Sequence, residues 1–79
     1  MERQELTDKL LAFLRKALAN KDAQVDPEAS LVNQGLNSSG RLELFTMIED
    51  EWDLMLDEDD TDEVETFNDI VALVEKMLA

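Results

Sequence analysis

Apolar residues recur along this chain at intervals of three and four. Between about Arg3 and Ala19, Leu6, Leu10, Phe13, Leu14, Ala17 and Leu18 share one side of a helical wheel, while Arg3, Asp8, Lys9, Arg15 and Lys16 fall mostly elsewhere. Asn20-Lys21-Asp22 offers an end to that helix, and a long connection follows to Asn37. Connections of this length need anchoring in a compact domain; Val25, Leu31 and Val32 are the expected pins, and Asp26-Pro27 has the cap-then-proline order of a single helical turn. A second amphipathic stretch is expected from about Ser39 to Trp52, with Leu44, Phe45, Ile48 and Trp52 on one side and Glu43, Thr46, Glu49, Asp50 and Asp53 mostly on another. Trp52 reads as a core aromatic at the helix end, where its large area serves a small domain well. A short third helix is expected around Asp59 to Val64, with Val64 inward. Thr66 followed by Asp69 then forms a capping-box pattern that opens a last helix, whose stripe is Phe67, Ile70, Val71, Val74, Met77 and Leu78. Nothing alternates with the period of a strand. The pattern predicts an all-α fold: a small helical bundle of three main helices plus one short third helix, in a single domain over residues 1–79 with no internal repeat.

The chemistry-bearing stretch is the entrance to the second helix, Gly35-Leu36-Asn37-Ser38-Ser39-Gly40. Asn37, Ser38 and Ser39 are all good N-cap types, so a plain helix cap accounts for them. The same place also suits a phosphate on Ser38, because the first-turn N–H groups lack intrahelical partners and the helix dipole favours negative charge there.

Composition narrows the chemistry. With 79 residues there is room for one small core and no separate catalytic domain. The chain has no His and no Cys, which removes the usual general base, the thiol nucleophile, disulfides and zinc–thiolate sites. Intrinsic catalysis is not expected, and thiol chemistry would need an attached group. No apolar run reaches membrane-spanning length and no signal sequence opens the chain, so the expectation is a cytoplasmic protein; a monomer is expected. The net charge of −13 is one-sided: residues 1–42 are balanced, whereas residues 43–79 hold fourteen of the twenty acids against Lys76 alone. Such a field repels nucleic acid and anionic membranes and steers basic protein surfaces inward. The acidic run Asp57 to Glu65 fails as a calcium loop, since counting from Asp57 puts Asp62 where the turn glycine is needed and Asn68 where the bidentate glutamate belongs.

Taken together, Gly35, Ser38 and Glu43-Leu44 resemble the Gly-x-Asp-Ser-Leu-x-x-x-Glu-Leu attachment motif of acyl carrier proteins. Further on, Ile48-Glu49-Asp50-Glu51-Trp52 is similar to the family's Leu-Glu-Glu-Glu-Phe, Leu56-Asp57-Glu58-Asp59-Asp60 to Ile-Pro-Asp-Glu-Glu, and Thr66-Phe67-Asn68-Asp69-Ile70-Val71 to Thr-Val-x-Asp-Leu-Val. The likeness covers nearly the whole chain. It departs where Asn37 replaces the family's aspartate, Ser39 its leucine or methionine, and Asp57 its proline.

The resemblance implies a carrier that holds acyl or aminoacyl intermediates as thioesters on 4'-phosphopantetheine attached to Ser38. Its partners would be a phosphopantetheinyl transferase and the ligases, synthases or transferases that load and unload it through basic docking surfaces. The docking face implied is Asn37, Ser39, Leu42, Glu43, Thr46 and Glu49; Ser39 and Thr46 stand at places commonly apolar in the family. The departures at Asn37 and Ser39 favour a specialised pathway, with an aminoacyl or peptidyl carrier as one form of it. From a different class, an acidic protein-interaction module without an arm fits the same composition.

Overall fold

A computed structural model describes residues 2–18 and 24–78. Four helices follow in order: α1 (Arg3–Ala17), α2 (Ser38–Trp52), α3 (Glu58–Asp62) and α4 (Phe67–Leu78). No strand occurs among the described residues, whose only β-type pairing is an isolated antiparallel bridge between Ser30 and Thr66. The expected all-α bundle of three main helices and one short one is borne out. The sequence signal for the end of α1, Asn20-Lys21-Asp22, lies outside the described residues.

The core is apolar throughout. Leu6, Leu10 and Leu14 of α1, Leu44 and Ile48 of α2, and Ile70, Val71 and Val74 of α4 are buried together. Each fully buried aliphatic side chain contributes about 1.5–3 kcal/mol relative to exposure, so this set carries the fold. At the α4 end of the stripe the expectation needs correcting: Leu78 is 41% exposed and Met77 only half-buried, because the last turn runs past the helices that cover its start. Trp52 is half-buried, packed edge-on against Phe13 of α1 at 6.0 Å between ring centroids. Its indole Nε1 is buried with no hydrogen-bond partner among the described residues. Two exposed ion pairs, Arg3–Glu75 and Lys9–Glu51, tie α1 to α4 and α2; such pairs add about 0–1 kcal/mol each.

The loop from residue 24 to Asn37 is pinned by Leu31 and Leu36, both buried, and not by Val32, which is 69% exposed. A turn explains the difference. Leu36 N–H donates to Leu31 O at 3.0 Å, closing a turn that brings both leucines inward and throws Val32 out. Gln34 organises the same loop from within: its Oε1 accepts from Asp26 N–H at 2.8 Å, and its amide donates to Asp26 O at 3.0 Å and Ala29 O at 3.1 Å. Gly35 turns the chain with φ +105°, a conformation that L side chains rarely adopt. Two further bonds, Leu31 N–H to Glu65 O and Asn68 N–H to Pro27 O, strap the loop to the start of α4.

The α4 cap forms as the sequence indicates. Asp69 Oδ2 accepts from Glu65 N–H at 3.0 Å and Thr66 N–H at 3.1 Å, while Asp69 N–H donates back to Thr66 Oγ1 at 3.2 Å. These backbone donors, from Glu65 first and Thr66 second, hold the Asp69 carboxyl below its ordinary pKa.

Candidate functional site

Among the three cap-type residues at the entrance of α2, the cap is Asn37. Its Oδ1 accepts from Gly40 N–H at 2.7 Å, and its own carbonyl accepts the first helical bond, from Arg41 N–H at 2.8 Å. Both serines are thereby free of capping duty. Ser38 and Ser39 are the first two residues of α2, and both are exposed.

What fixes their outward direction is Gly40. It is buried, and a Cβ built there would lie 2.5 Å from the carbonyl oxygen of Ala17 and 3.0 Å from Leu36 Cδ1. The first turn of α2 thus rests with backbone against the last turn of α1. At about 100° per residue, an inward third residue turns its two predecessors toward solvent. The sequence signal for this role of Gly40 is a glycine inside, rather than before, an amphipathic helix.

The entrance suits an anion. The first turn of α2 carries no acidic residue, and the N–H groups of Ser38 and Ser39 have no carbonyl four residues back within the helix. A phosphodiester on the exposed Ser38 would meet the positive end of a 15-residue helix without a carboxylate in that turn to repel it. The residues present fit the group.

The docking residues inferred from resemblance line one side of α2. Leu42, one turn beyond Ser38, is 70% exposed, an unusual position for a leucine in so small a domain. Glu43 is exposed, as is Thr46, whose Oγ1 donates back to Leu42 O at 2.9 Å. Glu49 is half-buried, and its Oε2 accepts from Leu56 N–H at 3.3 Å, so it also tethers the segment between α2 and α3. Arg41 was missed by the sequence reading. Its guanidinium donates to Thr61 O and stands 5.3 Å from the centroid of the Phe45 ring. Separately, an open depression of about 230 Å³ lies between α3 and α4, with Val64, Ala72 and Leu73 among its lining and Asp60, Glu63, Asp69 and Lys76 around them.

Known proteins resemble this four-helix chain in sequence and in fold. The family model described as "Phosphopantetheine attachment site" matches residues 8–74. In its fold the chain is similar to a crystal structure of an acyl carrier protein from Thermotoga maritima, with a TM-score of 0.80 and 24% identity, covering 99% of this chain and 92% of that one. These findings define a phosphopantetheine-bearing carrier protein, with the group held covalently. In sequence it is 30% identical to the acyl carrier protein of Thermotoga maritima over 77 residues, 96% of this chain and 95% of that one. It is also 35% identical to the acyl carrier protein of Desulforapulum autotrophicum over 71 residues, 82% of this chain and 92% of that one. The chain belongs to the acyl carrier protein family.

Proposed function

We propose that Ser38 is the attachment residue and that the chain, one carrier domain over residues 1–79, holds acyl or aminoacyl intermediates as thioesters and performs no catalytic step of its own. The observation that supports this most is the division of labour at the α2 entrance: Asn37 caps, Gly40 packs, and Ser38 is left exposed with its hydroxyl free of capping. When bound, 4'-phosphopantetheine supplies the thiol that this cysteine-free chain lacks. Ser38 Oγ would form the bond to phosphorus as the pyrophosphate bond of coenzyme A breaks and adenosine 3',5'-bisphosphate leaves, and the serine proton would pass to a base on the transferase, since the chain has no histidine. Ser38 keeps Glu43 five residues ahead, the register of the resembled motif, whereas Ser39 does not.

Leu42, Glu43 and Thr46 would form the docking face, with Ser39 and Asn37 at its upper end and Glu49 at its lower end. Leu42 gives the apolar contact and Glu43 the charge, within a half of the chain that carries all of the net charge of −13. The partners are a phosphopantetheinyl transferase and biosynthetic enzymes with basic surfaces, steered by that field. No helix among the described residues is long and apolar enough to cross a membrane, which agrees with work among dissolved enzymes in the cytoplasm. Tethering raises the intermediate's effective concentration at each partner.

Transfer of a labelled arm from coenzyme A by a broad-specificity transferase tests the proposal. Ser38→Ala should abolish labelling, and Leu42→Glu should slow it while leaving the helical spectrum unchanged. Labelling that survives Ser38→Ala would refute the assignment. An interaction module without an arm would take no label at all and would bind basic partners equally well with Ser38→Ala.

A further inference from the structure

Arg41 is the only basic residue between Gly35 and Lys76, and it stands at the border of the acidic half of the chain. It lies three residues beyond Ser38 on α2, a spacing that puts side chains side by side, about 5–6 Å apart at Cβ. Yet its half-buried guanidinium reaches across to α3, donating to the carbonyl of Thr61 beside the Phe45 ring. That contact matters because α3 has little else. The helix is five residues long with none buried; its acidic first turn, Glu58, Asp59 and Asp60, is capped internally by Asp57. It is held by its flanks, half-buried Leu56 and buried Val64, and by the guanidinium of Arg41.

We propose that Arg41 is this chain's ligand for the phosphodiester on Ser38, and that binding it draws the guanidinium off Thr61 and loosens α3. The inference rests on Ser38 being the attachment residue. In the unmodified chain Arg41 has a neutral carbonyl as its acceptor. Modification places an anion three residues away on the same helix, and a phosphate adds to the hydrogen bond a Coulomb attraction and a fork-shaped fit to the guanidinium that a neutral carbonyl lacks. No acid in the first turn of α2 competes with the anion for the guanidinium, and the free N–H groups there hold the anion in place. Ser38 opens α2 whereas Thr61 lies in α3, and in this proposal the guanidinium turns from the second acceptor to the first. The consequence is an α3 held firmly in the chain that the transferase meets and loosely in the chain that later enzymes meet. Enzymes that touch α3 would thereby distinguish the two forms without contacting the arm.

Amide exchange at Thr61 and Val64, followed by NMR on the full chain, reads the effect directly. Their N–H groups donate to Asp57 O and Thr61 O, both at 3.1 Å, so they report on α3 and on the carbonyl that Arg41 holds. Exchange should be roughly tenfold faster in the modified chain, as expected for losing a hydrogen bond to a charged group. In Arg41→Gln the unmodified chain should already exchange at the faster rate, with no further change on modification. Ser38→Glu, which needs no transferase and leaves Arg41 intact, should accelerate exchange in the same direction. Core amides at Leu10 and Ile48 serve as the control for folding. Equal or slower exchange in the modified wild-type chain, or an unmodified Arg41→Gln chain as slow as wild type, overturns the proposal. Peptide mass first shows whether Ser38 carries the arm. If it does not, the attachment reading fails, and Ser38→Glu then judges Arg41 alone: no acceleration there overturns its role as an anion ligand.

Discussion

Replacing Gly40 with alanine sets two effects against each other, and the geometry decides the sign. Within a helix, alanine is favoured over glycine by about 1 kcal/mol, so propensity alone predicts stabilisation. Against this, the added Cβ would stand 2.5 Å from Ala17 O, closer than carbon and oxygen approach without displacement, and 3.0 Å from Leu36 Cδ1. The leucine can turn aside, but the carbonyl belongs to the last turn of α1 and cannot move unless the two helices separate. Overpacking of this kind costs about 1–3 kcal/mol, and the backbone partner argues for the upper part of that range. The expected net is a loss of about 1–2 kcal/mol, or a fall in Tm of roughly 5–15 °C for a domain of this size. Urea denaturation followed by circular dichroism would measure it, with arm transfer to Ser38 assayed alongside, since separation of α1 and α2 occurs at the proposed attachment point. An alanine variant as stable as wild type would show that α1 and α2 do not rest backbone to backbone at Gly40.

Three further outcomes follow from single contacts. Asn37→Ala removes the cap to Gly40 N–H and should cost about 1 kcal/mol in urea unfolding, while Asn37→Asp keeps the acceptor, adds charge at the favourable helix end and should be at least as stable as wild type. Because Glu65 and Thr66 N–H groups lower the Asp69 pKa in the folded state, its contribution is present above its ordinary value of 3.8 and is lost as pH falls below that toward the depressed value; the stability difference between wild type and Asp69→Asn should shrink over this interval, and a constant difference would contradict the cap. Trp52→Phe should stay within about 1 kcal/mol of wild type by thermal unfolding, because it keeps the aromatic contact with Phe13 and removes an Nε1 that has no partner among the described residues, whereas Trp52→Ala should cost about 3–5 kcal/mol.

Much of the fold was legible because helices announce themselves locally. The i, i+3, i+4 stripes of α1 and α2 and the Thr66–Asp69 box depend on residues close in sequence, and each forms where expected, with α2 starting at Ser38 rather than Ser39. What was not legible depends on distant parts. Val32 and Leu36 are chemically alike, and only the turn between Leu31 and Leu36 decides that the first faces water and the second the core. Leu78 continues the stripe of α4 but runs beyond its cover. At the site, the motif singles out Ser38 as the proposed attachment residue, but three consecutive cap-type residues left the cap open, and the role of Gly40 exists only because Ala17 O comes to meet it. Arg41 was invisible for the same reason: its acceptor, Thr61, lies twenty residues away.

The measurement that bears most directly on the account is the mass of the chain, intact and as peptides, after incubation with coenzyme A and an active broad-specificity phosphopantetheinyl transferase. The account predicts a single added phosphopantetheine, located on Ser38, retained in Ser39→Ala and absent in Ser38→Ala. An addition located on Ser39, or none on a chain shown to be folded, would contradict it.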